Sequence, residues 1–336
     1  MNAWAATRRV AALAAVGLVL GAGPAAADAA KPGDFSSEVT SVEPDPGGFT
    51  VETAGGDSFL ALTVDEGTEV VVLGYEGEPY LRFSADGTVE QNLNSPATYI
   101  NDDRYGANDL APERLQGVDV TTLEPEWEEV ATDGSFAWHD HRTHEMRPDS
   151  PVARGESYPW SAPVVLEVGG TQVEVNGEIT FVADVSPLLW FALALVVGVA
   201  LILLAGRLPE VVPPALVAVV AAAATAVAWI GYSGLPSAAG PSIVPAVVGL
   251  IALVLGVLAV VVERLRTVGL LAGGVFLATW AVFRLGVLSN PVLPTTVPFG
   301  LERLVTALAL GVGVGAVVVA FRSGALTKAL LPAVED

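Results

Sequence analysis

Five apolar runs after Pro187, each close to the length of a membrane crossing, constrain this chain more than any other feature. A bilayer's hydrocarbon core takes about 20 apolar helical residues to cross. The runs at 187–205, 211–230, 242–262, 267–288 and 303–321 meet that need. They predict an all-α transmembrane bundle of about five helices, followed by a tail at 322–336.

The basic residues of this half orient the bundle. Arg207, Arg264, Arg266, Arg322 and Lys328 fall in loops and tail on one side, whereas 232–241 on the other side carries no charge. Lys and Arg collect on the cytoplasmic side. The prediction is a cell-membrane protein, multi-pass, with a cytoplasmic C-terminus and an extracytoplasmic N-terminal domain. Arg284 is a charge placed well inside a span, and Glu302 beside the start of the last span is its expected partner. Gly311 and Gly315 form a small-xxx-small pair suited to close helix packing.

The N-terminus reads as a signal peptide over 1–27. Arg8 and Arg9 are followed by a short apolar run at 10–21 and by Ala25-Ala26-Ala27, which places cleavage just before Asp28. From 28 to 184 the chain is polar and acidic. It holds 32 Asp and Glu against 7 Lys and Arg, a balance of −25. Such a domain repels nucleic acid and anionic headgroups and attracts cations. The chain has no cysteine, which excludes disulfides and thiolate metal sites.

Within 28–184 the pattern is mainly β. Short runs such as 69–73 and 80–83 are bounded by Pro46-Gly47-Gly48, Gly55-Gly56-Asp57 and Asp86-Gly87. Residues 164–168 and 172–175 flank Gly169-Gly170, a two-residue hairpin signal. A sandwich-like antiparallel domain is expected, with an irregular insert at 92–160 draped over it.

The chemistry concentrates in nine residues of that insert, Trp138-His139-Asp140-His141-Arg142-Thr143-His144-Glu145-Met146. They hold every histidine of the chain and its one methionine besides the initiator. Imidazole suits Cu(II) and Zn, and a thioether adds a soft ligand for Cu(I). His139, His141, His144 and Met146 are therefore the candidate metal ligands, for copper first and zinc second. Asp140 and Glu145 are candidates to fix the imidazole tautomers, and Trp138 to shield the site. The competing reading is a structural hydrogen-bond cluster in which Asp140 and Arg142 form an ordinary ion pair.

Enzyme signatures do not complete themselves here. The histidines match three positions of the His-x-His-x-Asp-His pattern of metallo-β-lactamase-type hydrolases, but Thr143 stands where Asp is required and no histidine follows downstream. No Gly-x-Ser-x-Gly elbow and no P-loop occur. Asp102, Asp103 and Asp109 form a lesser acidic knot with calcium-type chemistry but no EF-hand spacing.

The strings Gly74-Tyr75-Glu76-Gly77-Glu78-Pro79-Tyr80-Leu81-Arg82, Ser95-Pro96-Ala97-Thr98-Tyr99-Ile100-Asn101 and Trp138-His139-Asp140-His141-Arg142 resemble an uncharacterised family of high-GC bacterial membrane proteins. In that family a Trp-His-Asp-His-Arg-x-His-Trp-Met stretch precedes several C-terminal helices. Here Glu145 stands at the position of the second Trp. The resemblance implies the same topology and no particular activity.

Three functions follow as expectations. The first is a non-enzymatic, membrane-anchored protein that captures or presents copper, with the lipid bilayer and a membrane protein as its partners. The second is an envelope interaction, accessory or sensor protein with structural histidines. The third is a metal-dependent ectoenzyme.

Overall fold

The computed structural model describes residues 30–102, 104, 111–147, 150–236 and 242–323. The stretch 1–27, expected as a signal peptide, and the tail beyond Ser323 lie outside them, as do Asp103 and Asp109.

The first half is an antiparallel two-sheet domain. Its strands are β1 (Phe35–Glu43), β2 (Phe49–Ala54), β3 (Phe59–Val64), β4 (Val70–Leu73), β5 (Pro79–Phe83), β6 (Val89–Asn92), β7 (Trp127–Ala131), β8 (Ser135–Trp138), β9 (Ser157–Pro159), β10 (Val164–Val168) and β11 (Thr171–Phe181). The larger sheet runs β1-β11-β10-β4-β5-β6-β7, with β9 also on β11, and the smaller runs β2-β3-β8. Gly169 and Gly170 both take positive φ, which lets the β10–β11 hairpin turn in two residues.

The two sheets bury one core between them. Leu60, Leu62 and Trp138 of the smaller sheet meet Val72, Leu81, Phe83, Leu166 and Val175 of the larger. Strand alternation then fixes what the opposite face of the smaller sheet carries. Phe59, Ala61 and Ala137 point away from that core and form a cluster of their own with Ala54 and Leu235. Leu235 belongs to the loop after the second long helix, so this outer face of β2-β3-β8 rests on the bundle.

The stretch 92–160, expected as irregular, supplies β7, β8, β9 and a short helix α1 (Ala97–Ile100). Its strands are short and interrupted by Pro, Asp and Gly, and they are held by partners distant in sequence, such as β3 for β8.

The second half contains α2 (Leu188–Leu204), α3 (Val212–Ser233), α4 (Val244–Val261), α5 (Arg266–Phe283), α6 (Gly286–Ser289) and α7 (Phe299–Arg322). Among the described residues, five helical segments are long and apolar enough to cross a membrane. Large apolar side chains such as Leu188, Leu195, Val196 and Phe283 remain exposed on their outer surface, as lipid contact requires. The last helix packs against α2, α3 and α5 and is the most buried of the five. Gly311 faces the backbone of Ala194, and Gly315 faces Gly198, so α2 and α7 approach closely where no side chain intervenes.

Two helix limits differ from the sequence expectation by four residues or more. The fourth crossing stops at Phe283 rather than 288, and the fifth begins at Phe299 rather than 303. Charge explains the break. Arg284 leaves the helical path to meet Glu302, and Arg303 donates to the carbonyls of Val287 in α6 and of Asn290 and Pro291 beyond it. The same loop carries Val292, which exchanges backbone hydrogen bonds with Gly33 and ties the β domain to the bundle.

Candidate functional site: the histidine cluster

His139 follows the last residue of β8, so alternation turns it to the bundle-facing side of the smaller sheet, beside Ala137. Its ring stacks on Phe59 with centroids 4.2 Å apart. Nδ1 lies 2.7 Å from the Ser58 carbonyl oxygen. A carbonyl only accepts, so Nδ1 carries the proton, and in the neutral ring the lone pair sits on Nε2.

A tight turn then reverses the chain. Thr143 donates to the Asp140 carbonyl from both its amide, at 2.9 Å, and its hydroxyl, at 3.0 Å. The Asp140 carboxylate is fully buried and accepts from Arg142 Nε at 2.8 Å, Arg142 Nη2 at 2.7 Å and Trp138 Nε1 at 3.0 Å. The Arg142 guanidinium lies over the Tyr75 ring. Burial pushes the Asp140 carboxyl up, but the charge and hydrogen bonds of Arg142 outweigh it and hold the group below the usual carboxylate range.

The turn carries the other imidazoles back beside the first. The His144 ring lies 6.4 Å from that of His139 and 5.3 Å from that of His141. His144 Nε2 is 2.9 Å from Met146 Sδ, while His144 Nδ1 is buried without a hydrogen-bond partner among the described residues. The pKa of His144 is pushed down to about 3, chiefly by burial and further by Arg104, His141 and His139. Its ring is neutral at physiological pH and keeps its ligand capacity. Arg104 closes one wall, paired with Asp57 at 2.6 Å and donating to Ser58 Oγ at 2.7 Å.

Each residue expected at the site has a definite place. His139 and His144 are buried, His141 is half-buried, and Met146, 37% exposed, brings its sulfur in from the surface. The carboxylate of Asp140 is turned to Arg142 and Trp138. Glu145 accepts from Arg147 at 3.0 Å and from the Tyr158 hydroxyl at 2.5 Å. Trp138 sits in the sandwich core, edge-on to Tyr80, rather than over the imidazoles. Asp102 is exposed.

Around one ion, three imidazoles bound at about 2.0 Å would bring their ring centroids to about 5 Å apart. The observed spacings approach that value without closing on it. Among the described residues, no group of three or more His, Asp or Glu has the geometry to hold a metal ion. The cluster gathers ligand types, and two of them, His144 Nε2 and Met146 Sδ, are in direct hydrogen-bond contact.

Sequence reasoning missed Ser58, Phe59, Asp57, Arg104 and Tyr75 as neighbours of the cluster. The Gly55-Gly56-Asp57 turn signal marks where the chain bends, but nothing local to it points to a histidine 81 residues away. No family model, curated protein or solved structure matches the chain.

Proposed function

We propose that this chain is a membrane-anchored metal-binding protein whose β domain takes up copper outside the cell, Cu(I) in particular, and that it is not an enzyme. The observation that carries this reading is the His144 Nε2 to Met146 Sδ contact of 2.9 Å, beside a buried Nδ1 with no hydrogen-bond partner among the described residues. A neutral imidazole and a thioether facing one another is a donor pair for a soft ion. His139 offers Nε2, with Nδ1 tied to a backbone carbonyl in the manner that orients metal-bound imidazoles. His141 is the remaining donor, and modest side-chain rotation would bring it in. Zinc is the second ion that this donor set accommodates.

The bundle does not extend such a pathway. No His, Met or Cys follows Pro187, so copper would be captured or presented on the β domain rather than carried through the helices. Two features support an extracytoplasmic β domain. It rests on the bundle end formed by Leu235 and Val292. Arg207, Arg266 and Arg322 mark the other helix ends, where cytoplasmic positive charge belongs. A reporter active only in the cytoplasm should work when fused after Glu335 and be silent within 233–240; the opposite pattern would reverse the orientation.

The metal test uses the full-length protein in detergent. Cu(I) titrated against a competing chelator should bind one equivalent, with a Cu–S contribution in X-ray absorption that Met146→Leu removes. Binding by the wild type no tighter than by a His144→Ala/Met146→Leu variant would overturn the reading. In that case the accessory-protein alternative holds. It is favoured by the buried Asp140–Arg142–Trp138 network, which organises the same turn with no ion.

A further inference from the structure

A cavity of about 270 Å³ lies between the β domain and the near end of the bundle, apart from the histidine cluster. Ser36 and Glu52 come from β1 and β2; Leu235, Thr295, Thr296 and Phe299 come from the loops and helix end beneath. Its volume is just under the range of about 300–1,000 Å³ that holds drug-sized ligands, so it suits a headgroup-sized fragment.

The lining selects the chemistry. Hydroxyls of Ser36, Thr295 and Thr296 share the cavity with the Glu52 carboxylate, and among the described residues neither Lys nor Arg lines it. A phosphate would find no cation there, so of a lipid headgroup only the ammonium end matches the lining. Alternation puts Glu52 on the same face of β2 as Ala54, which packs toward Leu235, so the carboxylate is presented to the bundle side. The Glu52 side chain is exposed, and its carboxylate makes no hydrogen bond or ion pair with the described residues. A primary ammonium supplies three N–H donors, matching one carboxylate and the neighbouring hydroxyls. A quaternary ammonium would instead need an aromatic cage, and Phe299 is the single aromatic ring in the lining.

The position selects the source. The floor is formed where α3 ends at Ser233 and α7 starts at Phe299, both long enough to cross a membrane. That depth is the headgroup level on the β-domain side, and the apolar side chains of Leu235 and Phe299 face the same space.

We propose that this junction cavity binds the primary ammonium headgroup of a membrane lipid, with Glu52 taking its charge. The probe is full-length protein in nanodiscs containing equal amounts of phosphatidylethanolamine, phosphatidylcholine and phosphatidylglycerol, with retained lipid read by native mass spectrometry. Phosphatidylethanolamine should be enriched about fivefold, the scale of one partly exposed ion pair. Glu52→Gln should abolish the enrichment. Glu167→Gln, an equal charge change at an exposed site on β10, should leave it intact. Retention indifferent to headgroup, or unchanged by Glu52→Gln, overturns the proposal. Free ethanolamine at equal concentration should displace little of the lipid; full displacement would assign the ammonium to a soluble amine and overturn the lipid source.

Discussion

Arg284 Nη2 donates to Glu302 Oε2 at 2.5 Å, linking the end of α5 to the first turn of α7. Glu302 is 1% exposed, and Arg284 is its ion-pair partner. Removing one member of a buried pair strands the other in an apolar setting, at about 3–5 kcal/mol. Arg284 keeps some solvent access, which places the expected loss for Arg284→Ala near the lower end, about 3 kcal/mol. Arg284→Ala/Glu302→Gln should recover much of it, because no charge is left unpaired. Thermal unfolding in detergent checks this; a double variant as unstable as the single one would show that the pair is incidental.

The α2–α7 contact predicts a glycine requirement at one place and none at another. A methyl group at Gly311 would run into the Ala194 backbone carbonyl, whereas one at Gly300, in the first turn of the same helix, meets nothing. Gly311→Ala should lower stability by about 1–3 kcal/mol through overpacking. Gly300→Ala should be neutral or stabilise by about 0.5–1 kcal/mol through helix propensity. Equal unfolding temperatures for the two variants would refute the close approach.

Acid should loosen the Asp140 turn late. The Asp140 carboxyl is held below its ordinary range in the fold. Its contribution to stability is therefore present above about pH 3.9, the unfolded value, and is lost as pH falls from there through the lowered folded value. Arg142→Met removes the cation that keeps it ionised. The acid transition, followed by near-ultraviolet circular dichroism, should then move to higher pH, and a transition that stays in place would contradict the pairing.

His144 acts in the same direction over a different window. Its folded pKa, about 3, lies below the unfolded value of about 6.5. The unfolded chain binds the proton first, so this contribution is present above about pH 6.5 and is lost as pH falls toward about 3. The His144 ring proton shift, followed by NMR, should stay flat from pH 8 to about 5, within the range a buried imidazole allows. A titration centred near 6.5 would mean that the ring is solvated.

The sequence by itself settled the parts of this protein that depend on local sums. Apolar length marks a membrane crossing, because transfer free energy adds residue by residue along one helix. Turn glycines and β runs marked the antiparallel domain for the same local reason, down to the Gly169-Gly170 hairpin. The pairing of Arg284 with Glu302 was legible too, because two charges next to apolar spans have few other partners. The metal ligands were nameable from residue type, but their arrangement was not. Ser58 is 81 residues from His139, and Tyr75 is 66 from His141. Strand pairing between β3 and β8 brought Ser58 to His139, and packing of the two sheets brought Tyr75 to His141. The strand pairing also turned His139 toward the bundle while Trp138 entered the core, a choice of face that a one-residue change of register would reverse. Tertiary structure decided the site because burial and hydrogen bonding act between groups that the chain keeps far apart until the sheets close.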